Sequence, residues 1–173
     1  GASGPALGNP AFLKTASDGF LIGTIMLGRE GTPMLNYHKG GNVELSADDV
    51  ESVVTYLRSL ENAPFMGRRR VASSPANVTE GKTLFSMFCA ACHGSEGKGL
   101  TGNRINGSAP SLNNPEFLAA ANDGLLLATI ALGRPGTAMR PFAKHEGGVA
   151  DLEADEILKI LAFIRSWESA QQK

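Results

Sequence analysis

Two thiols three positions apart, with an imidazole directly after the second, make Cys89-Ala90-Ala91-Cys92-His93 the stretch best equipped for chemistry. On one short helical turn both cysteines can form thioethers to a macrocycle, and His93 can offer a ring nitrogen to its iron. That is the pattern of covalent haem attachment. Other chemistries fit less well. A structural zinc site takes four Cys or His ligands. The sequence has two Cys and three His (His38, His93, His145), so distant histidines or a carboxylate would have to complete it. A thioredoxin-like pair belongs beside a βαβ pattern, and no strand pattern precedes Cys89. A plain disulfide has no use for His93.

The remaining composition suits a small core built around something. With 173 residues the chain is one ordinary domain or two small ones. Only 6% of residues are aromatic while 21 are glycine, so a buried macrocycle would help fill a core poor in large groups. A net charge of −1 argues against nucleic acid as a partner and against general attraction to membranes. No apolar run reaches the roughly 18 residues that span a bilayer.

The elements that must position the motif come from an internal repeat. Residues 5–34 align with 110–139 at an offset of 105, with 18 of 30 positions identical. Asn9-Pro10-Ala11-Phe12-Leu13 matches Asn114-Pro115-Glu116-Phe117-Leu118, and Gly31-Thr32-Pro33-Met34 matches Gly136-Thr137-Ala138-Met139. Two inserted residues then shift the offset to 107, placing Val50, Val53, Val54 and Leu57 on Ile157, Ile160, Leu161 and Ile164.

The second copy reads as helical throughout. Asn77 and Glu80 suggest a capping-box start to a helix running through Leu84, Phe85 and Phe88 into Cys89. Asn114 and Pro115 open a short helix. Asp123 opens another that Gly133 ends. A last helix over roughly 152–167 carries the apolar stripe Ile157, Ile160, Leu161, Ile164. The first copy begins beyond the point where its own attachment motif would lie, and no Cys occurs before Cys89. Three units follow: an incomplete repeat over 1–60, a linker over 61–76 containing Pro64, Pro75 and Arg68-Arg69-Arg70, and a complete domain over 77–173. The arginine run suits a solvated segment or a docking surface for an acidic partner.

From the motif through the last helix, the chain resembles the class I cytochromes c. Gly81 and Phe85 resemble that family's first helix, where a small residue permits a close crossing, and Leu161-Ala162-Phe163-Ile164 resembles the final-helix segment that meets it. The resemblance implies an all-α class I cytochrome c fold in the C-terminal half, preceded by a degenerate cytochrome c-like repeat. It also implies one covalent haem c on Cys89 and Cys92, with iron held between His93 and a methionine sulfur. Met139, 46 positions after His93, is the expected distal ligand, although the family's Met-Pro pair is interrupted by Arg140. A thioether there favours ferrous iron.

Several residues carry weaker expectations. His145 is the rival ligand, or an ordinary surface histidine. Met87 is expected to pack, His38 has no evident partner, and Met34 is a relic or a packing residue unless an upstream motif once completed repeat 1. Arg134 and Arg140 flank the methionine and could meet propionates or a partner, and Trp167 is expected to pack. A repeat of some 60 residues without a haem should not stand alone, so it must lean on the second repeat, a partner or further sequence.

The implied function is electron transfer rather than enzymatic catalysis, within a larger respiratory or dehydrogenase complex of redox partner proteins. Attachment to such motifs takes place outside the cytoplasmic membrane. The resemblance therefore implies an exported chain, periplasmic or on the outer face of the cytoplasmic membrane, freed of a leader or anchor. Alternatives are a peroxidase-like or gas-binding haem domain with a labile sixth ligand, and a truncated dihaem carrier.

Overall fold

A computed structural model describes residues 4–38, 40–41, 43–60, 74–99 and 109–171. Eight helices are set out among them: α1 (Pro10–Thr15), α2 (Asp18–Leu27), α3 (Ala47–Ser59), α4 (Pro75–Phe88), α5 (Ala90–His93), α6 (Pro115–Ala120), α7 (Asp123–Leu132) and α8 (Ala154–Gln171). Among the described residues there is no strand, only an isolated bridge between Ala143 and Leu152. The arginine run and most of the expected linker lie outside them.

Local chemistry sets the helix ends. Asn9 and Asn114 cap α1 and α6 by accepting from Phe12 N at 3.0 Å and Phe117 N at 2.8 Å, each with proline at the first turn. Helices α2 and α7 end at Gly28 and Gly133, whose φ of 71° and 68° excludes most side chains. The start of α4 corrects the expected capping box. Ser74 is the cap, accepting from Asn77 N at 3.2 Å with Pro75 in the first turn. The Ser-Pro start signal sits in what composition alone suggested was linker. Helix α8 also runs on to Gln171, beyond the expected end.

The sequence offset recurs as geometry. Arg58 Nε donates to Asp18 Oδ1 at 2.7 Å and its Nη1 to Leu13 O at 2.7 Å. Arg165 Nε donates to Asp123 Oδ1 at 2.7 Å and its Nη1 to Leu118 O at 2.7 Å. The turns after α2 and α7 match too, with Arg29 N to Met34 O at 3.0 Å and Arg134 N to Met139 O at 2.8 Å.

Helices α4 and α8 form the most extensive helix pair. Gly81 makes the crossing possible, since a Cβ there would run into the carbonyl of Lys159 on α8. Phe85 meets Phe163 and Trp167 edge-on, both with centroids 5.4 Å apart, so Trp167 packs as expected. The two halves join through α1 against α7 and α2 against α6. Arg134 lies over the Phe12 ring and Arg29 over the Phe117 ring, each 4.4 Å from the centroid. Leu13, Phe20, Leu118 and Leu125 bury themselves in one shared core. The N-terminal half thus leans on the C-terminal half.

Candidate haem site

The Cys89–His93 motif is one helical turn continuing α4. Cys92 N and His93 N both donate to Cys89 O, at 3.1 and 2.9 Å, and Gly94 with φ 76° ends the turn. Both thiols are free, Cys89 buried and Cys92 exposed. Burial, and secondarily Cys92, push the Cys89 thiol up to about 12. That is the reverse of the stabilised thiolate of a redox Cys-x-x-Cys. Among the described residues no three His, Cys, Asp or Glu side chains gather to hold a metal ion.

His93 is buried, and its Nδ1 lies 3.0 Å from Pro110 O. A carbonyl can only accept, so Nδ1–H donates and Nε2 keeps its lone pair for a metal. Desolvation lowers the His93 pKa, with the Pro110 bond opposing and Arg29 adding to the lowering, so the neutral, ligating form is favoured.

Met139 sits in a tight turn after α7. Its N–H donates to Thr137 Oγ1 at 3.1 Å, and its half-buried side chain packs against the core cluster that contains Cys89 and Phe142. Phe142, three residues on, meets Phe88 at a centroid distance of 6.5 Å, linking the helix before the motif to the chain after Met139. The matching Met34 is half-buried but outside that cluster.

The rivals are placed less favourably. His145 occupies an exposed turn with φ 70°. His38 lies in the N-terminal half, its Nε2 3.3 Å from Asn36 Nδ2. Met87 does not pack; it is 66% exposed, because its position on α4 faces away from α8. Arg140 is exposed, whereas burial lowers the pKa of the half-buried Arg134.

Sequence reasoning missed two contributors. Pro110 acts through a backbone carbonyl, which residue types do not advertise. Arg29 was legible as the repeat counterpart of Arg134; it is half-buried, and desolvation, then Arg134, brings its pKa down to about 10. An unbridged cysteine pair on one turn, a neutral histidine with Nε2 uncommitted and a thioether against the same apolar cluster together fit a covalently held haem.

The chain is similar to known proteins. The Cytochrome c family matches residues 78–168. The Cbb3-type cytochrome c oxidase subunit CcoP of Azospirillum sp. (strain B510) is 31% identical over 110 residues, covering 63% of this chain and 34% of its own. Subunit FixP of Bradyrhizobium diazoefficiens is 33% identical over 103 residues, covering 60% of this chain and 31% of its own. The fructose dehydrogenase cytochrome subunit of Gluconobacter japonicus is 28% identical over 144 aligned positions, covering 68% and 29%. The chain spans about a third of the length of these curated relatives.

Proposed function

The chain belongs to the cytochrome c family, and from that premise we propose that it transfers electrons through one haem c held by Cys89, Cys92, His93 and Met139. The observation that carries this is the His93 side chain on the Cys-x-x-Cys-His turn, committed through Nδ1 to Pro110 and free at Nε2. Bound haem would supply a one-electron couple. The chain's own residues do the rest. Cys89 and Cys92 tether, His93 is held in its ligating tautomer, and the Met139 thioether favours the reduced state. Phe85, Phe88 and Phe142 keep the surroundings apolar, which limits water and reorganisation on electron exchange.

The relatives named above are subunits of an oxidase and a dehydrogenase, and this chain is proposed to serve in such a complex, outside the cytoplasmic membrane. Among the described residues no helix is long and apolar enough to cross a membrane. The first half is proposed to be a cytochrome c-like repeat without its own haem. A spectroelectrochemical titration of the haem-loaded chain tests the central function. It should give a reversible one-electron couple and the weak sulfur-to-iron band of ferric His/Met iron. High-spin ferric iron that binds added ligands would instead support a peroxidase-like domain.

One observation favours a second reading, a truncated dihaem carrier. Val53 and Tyr56 on α3 and Leu60 just after it are 40%, 64% and 39% exposed, yet they match Ile160, Phe163 and Trp167 on α8, of which Phe163 and Trp167 pack against Phe85 of α4. The fitting occupant is a helix in the α4 position, carrying an upstream attachment motif for which Met34 would be the ligand.

A further inference from the structure

The proximal side of the site is tied to the opposite half of the molecule. Pro110 O accepts from His93 Nδ1, and the next residue, buried Ser111, donates its N–H to Glu30 O at 3.0 Å. Gly31, with φ 79°, lies against the same piece of chain. A Cβ there would stand 2.8 Å from Ala109 O, 3.3 Å from Ser111 N and 3.6 Å from Pro110 Cα. On the other flank Gly97 O accepts from Leu112 N and Asn113 N at 2.7 and 2.9 Å. Residues 109–113 are therefore anchored twice, once by the loop of their own half and once by the N-terminal half.

The N-terminal anchor is itself fixed. The Arg29 guanidinium covers Phe117 at 4.4 Å and Phe20 at 5.6 Å, and Arg29 N donates to Met34 O at 3.0 Å. The matching contact across the interface, Ala6 N to Pro135 O at 3.0 Å, backs onto no histidine. Among the described residues, the Glu30–Ser111 side alone adjoins the proposed metal ligand.

We infer that the Arg29–Gly31 turn is a positioning element for the proximal ligand: by holding residues 109–111 it sets the bond from His93 Nδ1–H to Pro110 O. This rests on His93 being the iron ligand, as proposed above. A hydrogen bond donated by Nδ1–H makes the imidazole a more basic ligand and stabilises ferric iron, so loosening it moves the potential upward. The half without an attachment motif thereby tunes the haem of the other.

The test is the Gly31→Ala substitution in the full haem-loaded chain, with Gly31→Asn beside it. Asparagine tolerates a positive φ better while presenting the same Cβ, which keeps the test available if alanine impairs folding. Both variants should raise the reduction potential and speed exchange of the His93 Nδ1 proton in the reduced protein. Val54→Ala, which removes buried volume from α3 where that helix packs on α2, should leave both at the wild-type value. Unchanged potential and exchange in the Gly31 variants, or an equal shift in Val54→Ala, would overturn the inference. A wild-type chain whose haem lacks a histidine ligand removes the premise itself, and its spectrum shows that before any variant is made.

Discussion

Arg165→Leu should cost about 3–5 kcal/mol of stability, the scale for breaking a buried ion pair, while the matching Arg58→Leu should cost about 1–2 kcal/mol, the scale of exposed pairs and ordinary hydrogen bonds. The two arginines donate to equivalent acceptors at nearly the same distances. Arg165 also donates to Glu168 Oε1 at 3.3 Å, and the two aspartates differ sharply in burial. The side chain of Asp123 is 1% exposed and that of Asp18 66%. Removing Arg165 takes the guanidinium away from a buried carboxylate and from the carbonyls of Leu118 and Ala121. Removing Arg58 leaves a carboxylate that water can solvate. Thermal unfolding of the haem-loaded chain should fall by roughly 10 °C for Arg165→Leu and only a few degrees for Arg58→Leu. Equal shifts would mean that burial does not govern the difference.

Met139→Ala should convert the ferric haem from low to high spin, abolish the sulfur-to-iron band and lower the reduction potential well below that of wild type. The direction follows from the ligand, because a thioether stabilises ferrous iron and its loss favours ferric. Met34→Ala provides the comparison. It removes the same side chain from a turn built with the same hydrogen bonds, Met34 N to Thr32 Oγ1 at 3.1 Å against Met139 N to Thr137 Oγ1 at 3.1 Å. Yet Met34 lies outside the cluster that includes Cys89 and should leave spectrum and potential unchanged. His145→Ala should be equally silent, given its exposed turn. A spectrum altered by His145→Ala and untouched by Met139→Ala would exchange the two assignments.

Legibility in the sequence followed how local each feature is. The Cys89–His93 turn was readable because five adjacent residues carry it, and Asn114-Pro115 because capping chemistry lies within one turn. Gly81 was readable through resemblance, and its contact with Lys159 supplies the physical cause. The stacking of Arg29 on Phe117 was not, since it joins residues distant in sequence across an interface that no periodicity specifies. Arg58 and Arg165 lay one residue beyond the aligned stripe of α3 and α8, so extending the repeat would have found them. Ser74 was missed because its neighbourhood read as linker, and the role of Pro110 because it is played by a backbone carbonyl.

The most direct measurement is haem stoichiometry on the chain produced with haem-attachment machinery, by intact mass under denaturing conditions and alkaline pyridine absorbance. One haem that survives denaturation, and is lost when Cys89 and Cys92 are both replaced by alanine, is the result expected of the proposed attachment turn. A chain that matures without any covalent haem would contradict it.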